Sequence, residues 1–210
     1  MSALPARARY WPIQLFRAVP ALVVGLVITF SVDHTALFGL ITFGAFAIAT
    51  GLLIGWSAFR LEARTLRATS LVLAADAVLC GIAAFAFSTT GPGTLFLLVI
   101  VFGATTGFLE LYLGLRGRGS HEAARDWLTV GVLTALLAIA VLLVPADYAL
   151  PWSADDTGVA VSGILTSQII VVGILGAYAI LVGVYLSIGG LSARWSSLAE
   201  HASTEPVTGQ

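Results

Sequence analysis

Two acidic residues, Glu110 and Asp76, lie within stretches of sequence that are otherwise apolar. Glu110 lies six residues before Arg116, and Asp76 lies nine residues after Arg67. At a helical rise of about 1.5 Å per residue, both positions are inside a membrane helix that starts or ends at these arginines. Acidic residues in the membrane are costly and mark functional sites by default. The alternative is that each acid only joins helices or reaches the nearby membrane surface.

The chemistry of such a pair depends on how close the two carboxyls come. The stretches that carry them follow each other in the chain, so they are expected to be neighbouring helices. Two close carboxyls share a single proton, which suits proton relay or cation binding. Arg17, near the start of the first apolar stretch, is expected to extend its long side chain to the membrane surface. No basic partner is therefore expected inside the membrane.

Other ionisable residues lie between the apolar stretches. His34 follows Asp33 in a short connection, and histidine is the side chain whose charge changes nearest to physiological pH. It is a candidate sensor of acidity on its side of the membrane, although a loop histidine is commonly just hydrated. The longest connection carries three further acids, which either bind a cation or a partner or are simply hydrated: Asp147, Asp155 and Asp156.

Several classes of function lack support in the sequence. It contains no nucleophile elbow, zinc-protease motif, P-loop or dinucleotide fingerprint. The lone Cys80 forms no intrachain disulfide and belongs to no Cys/His cluster. The net charge is −1, with no basic groove for nucleic acid. We therefore expect no enzyme, no cofactor, no metal site and no nucleic-acid partner.

The composition points to a membrane protein. Hydrophobic residues make up 59% of the chain and charged residues 10%, whereas a soluble domain carries about 25% charged residues. About 20 apolar residues cross a bilayer as a helix. Six stretches qualify, and they predict an all-α, polytopic membrane protein: 13–32, 37–59, 68–88, 95–115, 127–144 and 165–190.

The arginines predict the orientation. In a six-span arrangement all ten fall on one side, and the other side holds none. The positive-inside rule puts that side, with both termini, in the cytoplasm. The predicted regions are a cytoplasmic segment 1–12, a membrane domain 13–192 and a disordered cytoplasmic tail 193–210.

The even-numbered stretches contain one pattern three times. Small residues, or Glu110 in one copy, recur at offsets of 0, 7 and 11, which fall on one helical face. Small residues of this kind let membrane helices approach closely. The pattern divides the chain into three consecutive hairpins, 13–59, 68–115 and 127–190, and predicts that the last helix starts near Gln168. The predicted packing residues are Gly44, Gly51, Gly55, Gly103, Gly107, Gly114, Gly176, Gly183 and Ser187.

Three hairpins with a Gly-Ala-containing even helix resemble the HdeD-like family of short-repeat bacterial membrane proteins. The motifs that carry the resemblance are Phe43-Gly44-Ala45, Phe102-Gly103-Ala104 and Gly176-Ala177, and it extends over about residues 15–192. It implies an inner-membrane protein of stress and acid resistance, and no catalytic residues. The connection 145–158 is longer than the family's short loops.

Three functional hypotheses follow. The first is a non-enzymatic, HdeD-like protein of the bacterial inner membrane that acts through helix packing and oligomerisation. The second is a small proton or cation transporter that uses Glu110 and Asp76. The third is an accessory subunit of a larger membrane complex that docks through the long connection around Trp152. Expected partners are the lipid bilayer and a second copy or another membrane protein.

Overall fold

The computed structural model describes residues 7–156 and 159–204, and the side chains within 11–153 and 162–195. Its six helices are each long and apolar enough to cross a bilayer, which confirms the predicted six-helix membrane protein. The elements in chain order are α1 Arg7–Phe30, α2 Ala36–Ala58, α3 Arg64–Ala86, α4 Pro92–Arg116, α5 Ala124–Leu142, β1 Ala149–Asp156, β2 Val159–Thr166 and α6 Ser167–Thr204.

Local sequence signals set several helix ends. The hydroxyl of Thr35 accepts a hydrogen bond from the backbone N–H of Phe38 and so caps the start of α2. Gly91 adopts a φ of 104°, and Pro92 follows as the first residue of α4, where its missing N–H removes no helical hydrogen bond. The boundaries therefore fall at residues that the sequence itself marks.

Neighbouring helices run antiparallel, so the connections alternate between the two ends of the bundle. One end, called here the arginine end, holds the start of α1, the α2–α3 and α4–α5 connections and the C-terminal part of α6. Every arginine except Arg17 lies in these segments or in the helical turns next to them. The opposite end holds the α1–α2 and α3–α4 connections and the two strands. The separation of charge that the sequence predicts is thus a property of the folded bundle.

The most extensive helix contacts join α2 with α3, α4 with α5, and α6 with α1. The even-numbered helices also contact one another, and they form an inner group with the odd-numbered helices outside it. The predicted hairpins pair α1 with α2, α3 with α4 and α5 with α6, and those pairs pack less extensively. The reason is that each glycine face of an even helix fits the odd helix of the next pair.

Two of these close pairs use the same interlocking contact. In α3, a Cβ on Gly81 would lie 2.8 Å from the Gly44 carbonyl oxygen and 3.0 Å from the Ile48 nitrogen of α2. In α1, a Cβ on Gly25 would lie 3.3 Å from the Gly176 carbonyl oxygen of α6 and 2.9 Å from the nitrogen of the residue four positions later. The internal repeat is therefore visible in three dimensions.

A β-hairpin forms most of the long connection between α5 and α6. The strands pair antiparallel from Ala149 with Thr166 to Asp156 with Val159. Trp152 lies opposite Gly163, whose missing side chain leaves room for the indole. Apolar and polar residues alternate over only a few positions in 159–166. This short strand pattern is hard to separate from the longer apolar stretch of the helix that follows. Helix α6 begins at Ser167, next to the predicted start near Gln168.

The two terminal regions are more helical than the sequence predicts. Helix α1 begins at Arg7, within the predicted segment 1–12. Helix α6 continues to Thr204, into the segment 193–210 that the sequence predicts to be disordered. Residues 193–204 contain neither Gly nor Pro, so nothing in them breaks a helix that α6 has already started. Residues 1–6 and 205–210 lie outside the described part.

Candidate functional site

A buried ion pair joins the first and fourth helices. The guanidinium Nη2 of Arg17 donates to Oε1 of Glu110 at 2.6 Å. Arg17 is 6% exposed and Glu110 is 3% exposed. The predicted snorkelling of Arg17 is therefore wrong, and so is the expectation that no basic partner lies inside the membrane. An arginine that is buried beside a carboxylate costs less than one that is buried alone, because the carboxylate stabilises the guanidinium.

Two hydroxyls from the neighbouring helices extend this pair. Thr134 of α5 lies 3.4 Å from Oε2 of Glu110, and its hydroxyl is 2.9 Å from that of Tyr178 in α6. Thr134 has one hydroxyl proton, and the Val130 carbonyl oxygen also accepts it at 2.8 Å. The Thr134 proton thus has three possible acceptors: the Glu110 carboxylate, the Val130 carbonyl oxygen and the Tyr178 hydroxyl oxygen. Four helices, α1, α4, α5 and α6, each contribute one side chain to this network.

A small, partly enclosed cavity adjoins the network. Its volume is about 20 Å³, which is room for about one water molecule. Its polar lining consists of Arg17, Glu110, Thr50, Thr106, Thr134 and Tyr178, and apolar side chains complete it. The hydroxyl of Thr50 is buried without a hydrogen-bond partner in the described part of the chain. A polar site of this size and lining suits one bridging water.

A second polar cluster lies nearer the arginine end. The amide nitrogen of Gln14 donates to Oδ2 of Asp126, and the hydroxyl of Tyr185 donates to Oδ1 at 3.1 Å. These groups come from α1, α5 and α6, three of the four helices that build the Arg17–Glu110 network. Gln14 is buried, and Asp126 lies in the first turn of α5. The two clusters are stacked along the same helices.

Asp76 belongs to a separate contact. Its Oδ2 accepts a hydrogen bond from the hydroxyl of Thr105 at 2.6 Å, which links α3 to α4. Thr105 and Glu110 are five positions apart on α4, so they point to different sides of the helix. The structure thus gives each intramembrane acid its own partner, and it does not bring the two carboxyls into one shared-proton pair.

The predicted glycine residues lie against neighbouring helices of the same chain. A Cβ on Gly51 would come within 2.8 Å of the Ala74 carbonyl oxygen, and one on Gly107 within 2.8 Å of the Ala135 nitrogen. Ser187 instead donates its hydroxyl to the Gly183 carbonyl oxygen at 2.8 Å. The other predicted glycines also face a neighbouring helix of the bundle. A Cβ on Gly55 would make an ordinary contact, and close contacts would form at Gly44, Gly51, Gly103, Gly107, Gly114, Gly176 and Gly183. These faces are therefore occupied inside the chain and are not free for oligomerisation.

The residues of the connections show no comparable network. His34 is half-buried beside Phe38, with its ring Nδ1 3.5 Å from the Val32 carbonyl oxygen. The backbone and hydroxyl of Thr35 hydrogen-bond to Asp33 and hold the pKa of that exposed carboxyl below its ordinary value. His34 is well separated from the buried pair, because it lies at the end opposite the arginines.

His121, in the α4–α5 connection, is more enclosed than its sequence position indicates. Its ring stacks on Trp127 with centroids 4.9 Å apart. Its Nδ1 accepts a hydrogen bond from the backbone N–H of Ala123 at 3.1 Å. Burial lowers the pKa of this imidazole, since the charged form loses hydration. The α4–α5 connection is thus organised around the stacked, half-buried imidazole of His121.

Comparison with protein-family models, with curated proteins and with solved structures finds no match for this chain. Within the described residues, no group of three or more His, Cys, Asp or Glu side chains is arranged to hold a metal ion. The function must therefore be argued from the buried polar groups themselves.

The sequence pattern indicated Glu110 as a site residue. It did not indicate the other members of the two clusters, which are Arg17, Gln14, Asp126, Tyr178 and Tyr185. One signal was available: Arg17 and Glu110 lie at similar distances from the arginine end on helices of opposite direction. Opposite charges at matched depth in a membrane domain are expected to pair. The rest of the network carried no signal, because hydroxyl and amide groups occur in many membrane helices without functional contacts.

Proposed function

We propose that this chain is a non-enzymatic, acid-responsive protein of the bacterial inner membrane, of the HdeD-like kind that the sequence resembles. Its proton-sensitive element is the Arg17–Glu110 pair. The observation that carries the proposal is the 2.6 Å contact between these side chains at the centre of a six-helix membrane bundle. The orientation with the arginine end in the cytoplasm is part of the proposal and follows the positive-inside rule.

Protonation of Glu110 is what would convert acidity into a structural change. A neutral carboxylic acid no longer compensates the guanidinium of Arg17, which is left as a buried charge. The contact between α1 and α4 then loses its attraction, and Thr134 loses a charged acceptor. The two protonation states of Glu110 therefore differ in the contact between α1 and α4.

The test is the pH dependence of stability for the native protein and for Glu110→Gln in lipid nanodiscs. We expect the stability of the native protein to change on acidification, whereas Glu110→Gln is less stable at neutral pH and changes less as the pH falls. The control is Glu62→Gln, an exposed acid in the α2–α3 connection, which should follow the native profile. Identical pH profiles for Glu110→Gln and the native protein would contradict the proposal.

A second candidate, a small proton or cation transporter, draws support from the polar cavity at Glu110. Its test is proton and cation flux into proteoliposomes under an imposed pH gradient. Native flux that Glu110→Gln abolishes would favour transport over sensing. Sensing is preferred because buried apolar residues fill the bundle between the cavity and the opposite end, among them Leu95, Val99, Val171, Val172 and Leu175.

Orientation has its own test, independent of the acid response. A fluorescent protein fused after Gln210 should fluoresce in bacterial cells, and an alkaline phosphatase fused there should be inactive, because fluorescence requires the cytoplasm and phosphatase activity the periplasm. The reverse result would place the arginine end outside.

A further inference from the structure

The Gln14–Asp126–Tyr185 cluster continues the Arg17–Glu110 network towards the arginine end. Along α1, Gln14 precedes Arg17 by three residues, which keeps both on one face. Along α5, Asp126 precedes Thr134 by eight residues, and along α6, Tyr185 follows Tyr178 by seven. The seven-residue step is close to two helical turns, and the eight-residue step is about two and a quarter turns. All three steps lead in the same direction, from the core to the arginine end.

Gln14 supplies an acceptor that no group of the described chain satisfies. Its side chain is 8% exposed, and its Oε1 is buried without a hydrogen-bond partner. Buried acceptors of this kind are normally satisfied by protein or by ordered water. With its amide nitrogen donating to Asp126, Gln14 can hold a water between Asp126 and the ion pair, whose Arg17 lies about one turn deeper along α1.

In the opposite direction the buried side chains are mainly apolar, and the buried hydroxyl of Thr42 donates to backbone carbonyls of its own helix, α2. Towards the other end of the bundle, the core beyond the cavity is built from completely buried Leu95, Val99 and Val171, with Phe43 and Phe102 in edge contact at 5.3 Å. An apolar layer of this kind is a barrier to protons, since it has no donors or acceptors. The polar network around Glu110 therefore continues towards the arginine end.

We infer that protons reach Glu110 from the arginine end, through Asp126 and a water held by Gln14, so that the protein responds to the pH on that side of the membrane. This inference rests on the proposed acid response of Glu110. Asp126 takes a proton from bulk water and passes it through the bridging water to Glu110, and then returns to the carboxylate form. The charged and titratable groups that face this route are Arg17, Tyr178, Tyr185 and Arg125.

The experiment follows protonation of Glu110 directly. The protein is reconstituted in one orientation in a lipid bilayer, and the pH is lowered on one face at a time. The carboxylic-acid C=O band that Glu110→Gln removes from the infrared difference spectrum reports protonation. We expect this band to appear promptly after acidification of the arginine side and far more slowly after acidification of the other side.

Asp126→Asn should slow the appearance of the band at least about tenfold while leaving its final amplitude unchanged, because it removes the proton carrier but not the site. Tyr185→Phe keeps the fold with a near-isosteric ring and should slow it less. Glu62→Gln, an exposed acid at the same end, should leave the rate unchanged. A native rate in Asp126→Asn, or equal rates from the two faces, would overturn the route but not the acid response. A native protein that shows no Glu110 band would overturn both.

Discussion

Arg17 and Glu110 are 93 positions apart in the sequence, and their side chains meet at 2.6 Å inside the bundle. Both are almost completely buried, so each depends on the other for compensation of its charge. Breaking a buried pair by removing one partner costs more than replacing both, because the remaining charge has no counterion. This asymmetry distinguishes a true buried pair from two independently hydrated groups.

Arg17→Met should therefore lower the free energy of unfolding by about 3–5 kcal/mol. The double variant Arg17→Met/Glu110→Leu should recover most of that loss, because it leaves no buried charge. Reversible unfolding of the purified protein in mixed micelles measures both. A double variant as unstable as Arg17→Met alone would indicate that packing of the arginine stem, and not its charge, is what matters.

The close approach of α2 and α3 depends on Gly51. An added Cβ would lie 2.8 Å from the Ala74 carbonyl oxygen and 2.8 Å from Val78 Cγ2, so Gly51→Ala should destabilise the bundle by about 1–3 kcal/mol through overpacking. Gly173→Ala is the matched control, since no atom lies within 4 Å of an added Cβ there. The thermal midpoint should fall for the first variant and stay or rise for the second.

The hydrogen bond between Thr105 and Asp76 should be worth much less than the ion pair. Interhelical hydrogen bonds in membrane proteins average about 0.6 kcal/mol, and Thr105→Val should cost about that much. Asp76→Asn retains an oxygen acceptor and should change the unfolding free energy still less. The exposed Thr65→Val, at the arginine end, is the control. A loss as large as that of Arg17→Met would reveal a role for Asp76 that the contacts do not indicate.

His121 makes a contribution that depends on pH. Burial lowers the pKa of its imidazole from the ordinary value of 6.5, so the unfolded chain takes up a proton at a higher pH than the folded one. The stability it contributes is thus complete above pH 6.5 and is lost as the pH falls towards the lower folded pKa.

His121→Phe retains an aromatic ring to stack on Trp127 but cannot titrate. Its unfolding midpoint should fall less than that of the native protein between neutral pH and a pH below 6.5. The comparison isolates His121 from Glu110, because both proteins keep the buried pair. Parallel pH profiles would show that the histidine is hydrated in the folded state.

Features that arise from neighbouring residues could be predicted from the sequence. The six membrane helices follow from continuous apolar stretches, because a bilayer leaves no alternative for their backbone hydrogen bonds. The grouping of the arginines follows from counting spans. The start of α6 at Ser167 follows from the spacing of the small residues in the repeat. Each of these depends on the order of residues within one helix or on the number of helices before it.

The tertiary structure alone decided which helices meet. The same glycine face could pack on either neighbour, and the shape of the partner selected α3 for Gly51 and α5 for Gly107. It likewise paired Glu110 with Arg17 and not with Asp76, although the acids lie on consecutive helices. Such pairings join side chains far apart in the chain, and their energy depends on distance and burial in the folded bundle. The sequence of one helix contains neither quantity.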